Sequence, residues 1–140
     1  MLKYTGENMN YLAIGGAALA SMAVGMLWYS PVMFGKPWMK MMGFKTSDMK
    51  KMKLSPTASM ITGLVTALVL SFVMAKFAST LQISTAAGGA VLGFWVWLGF
   101  FATTSLGSVL WENKPFALYL INVSYQLVQV LLTAVIVSMF

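Results

Sequence analysis

From Phe116 to Met139 the chain reads FALYLINVSYQLVQVLLTAVIVSM, 24 residues without a charge, a proline or a glycine. A hydrocarbon slab of ~30 Å is crossed by about 20 apolar residues in an α-helix. The stretch lacks the strict alternation of a barrel strand, and an open strand in lipid would leave its amides unpaired, so a membrane-spanning helix is expected here. Three further runs of this kind lie upstream, at about 10–29, 58–77 and 86–110. The four prolines, Pro31, Pro37, Pro56 and Pro115, all fall between runs, where they punctuate helices without kinking them.

Composition agrees with that division. Of the 140 residues 59% are hydrophobic and 9% charged, against about 25% charged in an ordinary soluble domain. The expectation is an all-α integral membrane four-helix bundle, residues 1–140 forming a single transmembrane domain. The first run is read as a retained span and not a cleaved signal peptide, because Glu7 dilutes the basic start and the apolar run continues through Trp28.

Lysine placement sets the expected orientation. Lys36, Lys40, Lys45, Lys50, Lys51 and Lys53 fall between the first two runs and Lys114 between the last two, while only Lys3 and Lys76 lie on the other side. The positive-inside rule then puts both lysine-bearing loops in the cytoplasm and both termini outside, with Lys76 near a span end and able to snorkel. The net charge of +6 is explained by topology and by contact with anionic inner-leaflet headgroups. A nucleic-acid partner is not expected, since arginine and a soluble fold are both missing.

The loops share a pattern. Ser30 is followed by Lys36, Pro37 and Trp38, and Ser108 by Lys114, Pro115 and Phe116, each 78 residues apart, as are Gly15 and Gly93. The simplest reading is a duplicated helical hairpin, the two copies lying parallel. A lysine at the headgroups, a proline in a first helical turn and an interfacial aromatic also make a good junction by themselves. Where the copies diverge, a stretch at about 38–57 carries Trp38, Met41, Met42, Phe44, Met49 and Met52 among lysines, which suits a short amphipathic helix on the inner leaflet. Gly43 is expected to break it, and Thr46 or Ser47 with Asp48 to cap a second short helix.

Small residues recur at intervals of four on the first span, at Ala13, Ala17, Ser21 and Gly25, and on the third, at Gly99, Thr103 and Gly107. Such ridges allow close backbone approach. They raise the expectation that spans one and three cross at the centre of the bundle, within a chain or between copies, and favour a homo-oligomer.

The last span holds the most pointed constellation. At about 100° per residue, Tyr119, Asn122, Tyr125, Gln126, Gln129 and Thr133 all fall within about 120° of arc. Amides in hydrocarbon need partners, so this stripe faces protein or water. One reading is interhelical glue, with Asn and Gln bonding Thr62, Thr66, Thr103 or Thr104 on neighbouring helices. The other is a site or path for an uncharged solute, with Lys36 and Lys114 at its inner mouth.

Enzyme chemistry has little to stand on. The chain has no histidine, cysteine or arginine, and its only acids, Glu7, Asp48 and Glu112, lie outside the spans. A proton-coupled carrier wants an intramembrane carboxylate, and a hydrolase a base beside its nucleophile. Trp111, Glu112 and Lys114 are read as an ordinary turn with a local ion pair or cap. Thirteen methionines raise copper(I), yet they are scattered and lack a histidine or cysteine to assist, so no cofactor or metal is expected.

Two blocks carry a family likeness: Trp28-Tyr29-Ser30-Pro31 followed by Phe34-Gly35-Lys36-Pro37-Trp38-Met39, and GFFATTSLGSVLWENKPFALYLINVSY from Gly99 to Tyr125. Together they resemble the small, mostly bacterial membrane proteins of the domain of unknown function family 1761. The resemblance covers nearly the whole chain and implies a four-span protein of a bacterial inner membrane with no assigned activity. The chain does not look like the small multidrug exporters, which carry a membrane-embedded glutamate. The functional expectation is a non-enzymatic protein acting through helix and partner contacts, or else a small channel or facilitator for a neutral or anionic solute lined by the last span.

Overall fold

The computed structural model describes residues 10–43 and 55–140, and among them every regular element is helical. Helix α1 spans Tyr11–Trp28, α2 Gly35–Met42 and α3 Pro56–Thr80. Helix α4 runs over Ala86–Leu110 and α5 over Phe116–Met139. Four of the five, α1, α3, α4 and α5, are long and apolar enough to cross a membrane. That marks an integral membrane protein.

Helix ends follow from local chemistry. Asn10 caps α1 by accepting from the amides of Leu12 and Ala13 at 3.1 and 3.2 Å. Ser55 caps α3 through the Ala58 amide, with Pro56 in the first helical position where its missing N–H is harmless. Thr85 does the same for α4 through Gly88. Gly43 ends α2 in the left-handed conformation, φ 68°, as its sequence position foretold. The second cap expected at Thr46, Ser47 and Asp48 lies outside the described residues.

The two Lys-Pro junctions are built differently. Pro37 sits inside the first turn of α2, whereas Pro115 is the residue before α5, with φ −60° and ψ 141°. After α1 the chain folds back so that the Ser30 carbonyl accepts from the amides of Met33 and Gly35. Gly35 lies so close under the Tyr29 and Ser30 carbonyls that a Cβ there would collide with both. After α4, Asn113 takes φ 55° and the Lys114 amide closes the turn on Ser108 O at 3.0 Å. This backbone bond caps the end of α4, one of the two arrangements, local ion pair or cap, expected of the turn.

Helix α4 is not a uniform helix. A π-helical stretch occupies Trp97–Ala102, and regular geometry is lost again at Leu106. The apolar pattern of the sequence carries no trace of this, because wide turns are set by packing against a neighbour.

Helix α5 is the centre of the bundle. It packs most extensively on α4, and also on α1 and α3, while α1 packs on α3 and has no substantial contact with α4. Within the chain, the expected crossing of spans one and three is thus replaced by two separate seams on α5. The α1 ridge is used, with Ala13, Ala17 and Ser21 buried, but against α3 and α5. The ridge expected on α4 is not: Gly99 and Thr103 are exposed and no atom of a neighbouring element approaches the Cβ position of Gly99 within 4 Å. The close approach lies one to three turns earlier, at Gly89 and Gly93, which face Ala134, Ser138, Val130 and Leu131 of α5. Met74, Val130 and Ala134 form the core there, packed on by Leu92, Val96, Trp97 and Phe101.

Candidate functional site

The polar stripe of α5 divides in two. At its C-terminal end Thr133 is fully buried and its hydroxyl lies 3.0 Å from that of Ser21 on α1, itself buried. With Ala17, Ala18 and Val130 fully buried around this level, the bundle is closed there. The other five residues, Tyr119, Asn122, Tyr125, Gln126 and Gln129, line a single cavity of about 390 Å³ together with Tyr29, Phe101, Ser105 and Ser108. It lies at the end of the bundle that carries both lysine-bearing junctions. Asn10 and Phe140, bonded at 3.1 Å, mark the opposite end.

Each wall residue is held by its own helix and one neighbour. Tyr29 ends α1, and its hydroxyl donates to Asn122 Oδ1 at 2.8 Å. Its ring meets Tyr125 edge-on at 5.4 Å between centroids, and Trp38 of α2 packs on its other side at 5.7 Å. The Tyr125 hydroxyl donates to Ser21 O at 3.3 Å, in space left by Gly25, whose Cβ would lie 2.8 Å from that hydroxyl. The α4 wall is set by its irregular backbone. The Leu106 amide is directed to Thr104 O, and Tyr119 donates to the Ala102 carbonyl at 2.8 Å, where a regular helix would use the Leu106 amide. Ser105 Oγ then reaches Gln126 Oε1 at 3.1 Å.

Two tryptophans brace the site from outside. Trp28 donates to Ile121 O at 3.1 Å and Trp97 to Val123 O at 2.9 Å, fixing α1 and the π turn of α4 to successive faces of α5. Half-buried indoles such as these find partners because an unmade N–H bond in an apolar medium is costly.

The hydrogen-bond inventory leaves a definite remainder. Asn122 and Gln126 use their oxygens as acceptors, while among the described residues no partner engages their amide nitrogens, and Gln129 makes no hydrogen bond at all. Every hydroxyl on the wall already donates: Tyr29, Tyr119 and Tyr125 as above, Ser105 to Gln126, and Ser108 to Ser105 O. No charged residue is on the wall. The cavity therefore offers amide N–H donors and hydroxyl lone pairs.

The glue partners expected from sequence are elsewhere. Thr62, Thr66, Thr103 and Thr104 each return their hydroxyl to a carbonyl of their own helix, at Ala58, Gly63, Gly99 and Phe100. Threonine has that option wherever a carbonyl lies one turn back. Tyr29, Ser105 and Ser21 take their place, and nothing in spacing along α5 pointed to them. Of the junction residues, Lys36, Pro37, Trp111, Glu112 and Pro115 are exposed and Trp38 and Lys114 half-buried, and none lines the cavity.

No curated protein and no solved structure matches the chain. A family model described as protein of unknown function (DUF1761) matches residues 12–138, nearly the whole chain and all four long helices. The chain belongs to that family.

Proposed function

We propose that the protein is a non-enzymatic membrane protein whose inner half holds a binding pocket for a small uncharged, hydrogen-bonding solute. The observation that carries this reading is the set of five stripe residues around one cavity with the Asn122, Gln126 and Gln129 amide donors unused. Polar groups kept unpaired at membrane depth are expensive, and water or a ligand is the available partner. In the bacterial inner membrane, with lysine loops cytoplasmic and termini outside, the pocket opens to the cytoplasm and ends blindly at the Ser21 and Thr133 seam. A facilitator would open that seam in a second conformation. The contacts of α1 with α3 and of α4 with α5 suit two parallel hairpins.

A second reading, helix packing alone, is favoured by the Ser21 to Thr133 bond, which is glue in the plain sense. The two separate on one measurement. The chain has no cysteine, so Ser105→Cys introduces a single thiol on the pocket wall. Purified protein in lipid nanodiscs should react with a water-soluble maleimide at Ser105→Cys, and not at Ser71→Cys in the buried α3 core. A Ser105→Cys thiol as inert as the core control would reject the pocket and leave packing.

A further inference from the structure

A second cavity adjoins the first. It measures about 680 Å³, lies between α1 and α3, and is walled by Met22, Met26, Met60, Gly63 and their neighbours. The two cavities share Tyr29, Tyr125 and Gln129. Their chemistries differ: the first is ringed by hydroxyls and amides, the second by methionine thioethers and small residues. Each falls in the ~300–1,000 Å³ range of small-ligand sites. The second opens at the lipid-facing side, since Met26 and Met60 are both exposed on helices that span the membrane.

Resting on the pocket reading above, we propose that the ligand is a single-chain lipid with an uncharged, oxygen-bearing head, of the monoacylglycerol class, entering sideways between α1 and α3. The head occupies the polar cavity. Its carbonyl and hydroxyl oxygens accept from the Asn122, Gln126 and Gln129 amides, the donors the wall leaves unused. An anionic or cationic head meets no countercharge there and carries a desolvation cost that nothing offsets. The chain lies in the second cavity, where unbranched methionines conform to a flexible alkyl tail. Gly63 leaves the space for it: the nearest atom to its Cβ position is Met22 Cε at 4.0 Å. Gln129, on both walls and bonded to nothing among the described residues, stands where head joins tail.

The test uses the full chain in phosphatidylcholine nanodiscs with the Ser105→Cys reporter. If an occupant must leave before the thiol reacts, 1-monooleoylglycerol at ten times its dissociation constant slows maleimide labelling about tenfold. Glycerol and oleate at the same concentration should leave the rate unchanged. Adding Gly63→Leu fills the tail cavity with little steric demand, and protection by monooleoylglycerol should disappear when read against that double variant's own unliganded rate. Rapid labelling that monooleoylglycerol does not slow overturns the lipid assignment and leaves a pocket for a soluble solute. Equal protection by oleate overturns the uncharged head, and equal protection by glycerol, or protection that survives Gly63→Leu, overturns the tail. A thiol that never reacts removes the pocket and this inference together.

Discussion

Replacing Gly89 by alanine tests where α4 and α5 touch. An alanine Cβ at this position lies 2.7 Å from the Ala134 carbonyl and 2.9 Å from Ser138 Oγ. The first obstacle is backbone, so a rotamer change cannot relieve it and the helices must part by roughly the shortfall from van der Waals contact, ~0.7 Å. Overpacking of this kind costs about 1–3 kcal/mol, against which alanine returns about 0.5–1 kcal/mol of helix propensity. The expected net loss is ~1–2 kcal/mol, or roughly 5- to 30-fold in the folding equilibrium. Gly99→Ala, one to two turns of α4 beyond the seam, meets no neighbouring atom within 4 Å and should be neutral or stabilising by up to about 1 kcal/mol. Reversible unfolding of the two purified variants in mixed micelles, followed by circular dichroism, measures the contrast. If Gly99→Ala were the more damaging of the two, or the responses were equal, the seam would lie on the ridge expected from sequence and the packing described for α5 would be wrong.

Three further outcomes follow from named contacts. Ser21→Ala leaves the buried Thr133 hydroxyl without its partner and should destabilise by about 0.6–1.7 kcal/mol; Ser21→Ala with Thr133→Val should lose less than the two single changes summed, which a double-mutant cycle reads directly. Gly35→Ala puts a Cβ against the Tyr29 and Ser30 carbonyls, and is expected to lower the melting temperature and to loosen Tyr29 from Asn122, seen as faster labelling at Ser105→Cys; an unaltered melting temperature would contradict that crowding. Asn122→Leu and Gln126→Leu should slow labelling of Ser105→Cys by drying the cavity, with little effect on unfolding, whereas strong destabilisation with unchanged labelling would return these residues to the role of glue.

Much of the site was already legible along α5. Side chains at i, i+3, i+4 and i+7 share a helix face whatever the fold, so Tyr119, Asn122, Tyr125, Gln126, Gln129 and Thr133 were grouped by periodicity alone. Periodicity is silent on what stands opposite. Tyr29 closed the first apolar run in a block marked only by its family likeness, and Ser105 lay in an apolar run, yet these two hold Asn122 and Gln126. The threonines chosen as partners had a carbonyl of their own helix one turn away, and that local bond won.

The sequence by itself determined the four apolar helices and their approximate ends. In hydrocarbon a segment must satisfy its own amides, so length and composition are sufficient, and caps such as Asn10, Ser55 and Thr85 are local. Only the tertiary structure decided that α5 is central, that Gly89 and Gly93 and not Gly99 and Thr103 form its seam with α4, and that the stripe is packed at Thr133 and open along its other five residues. The reason is that lipid offers no hydrophobic gradient between helix faces. Helices there choose partners by how closely two particular backbones can approach, which is a property of the pair and is written on neither helix alone.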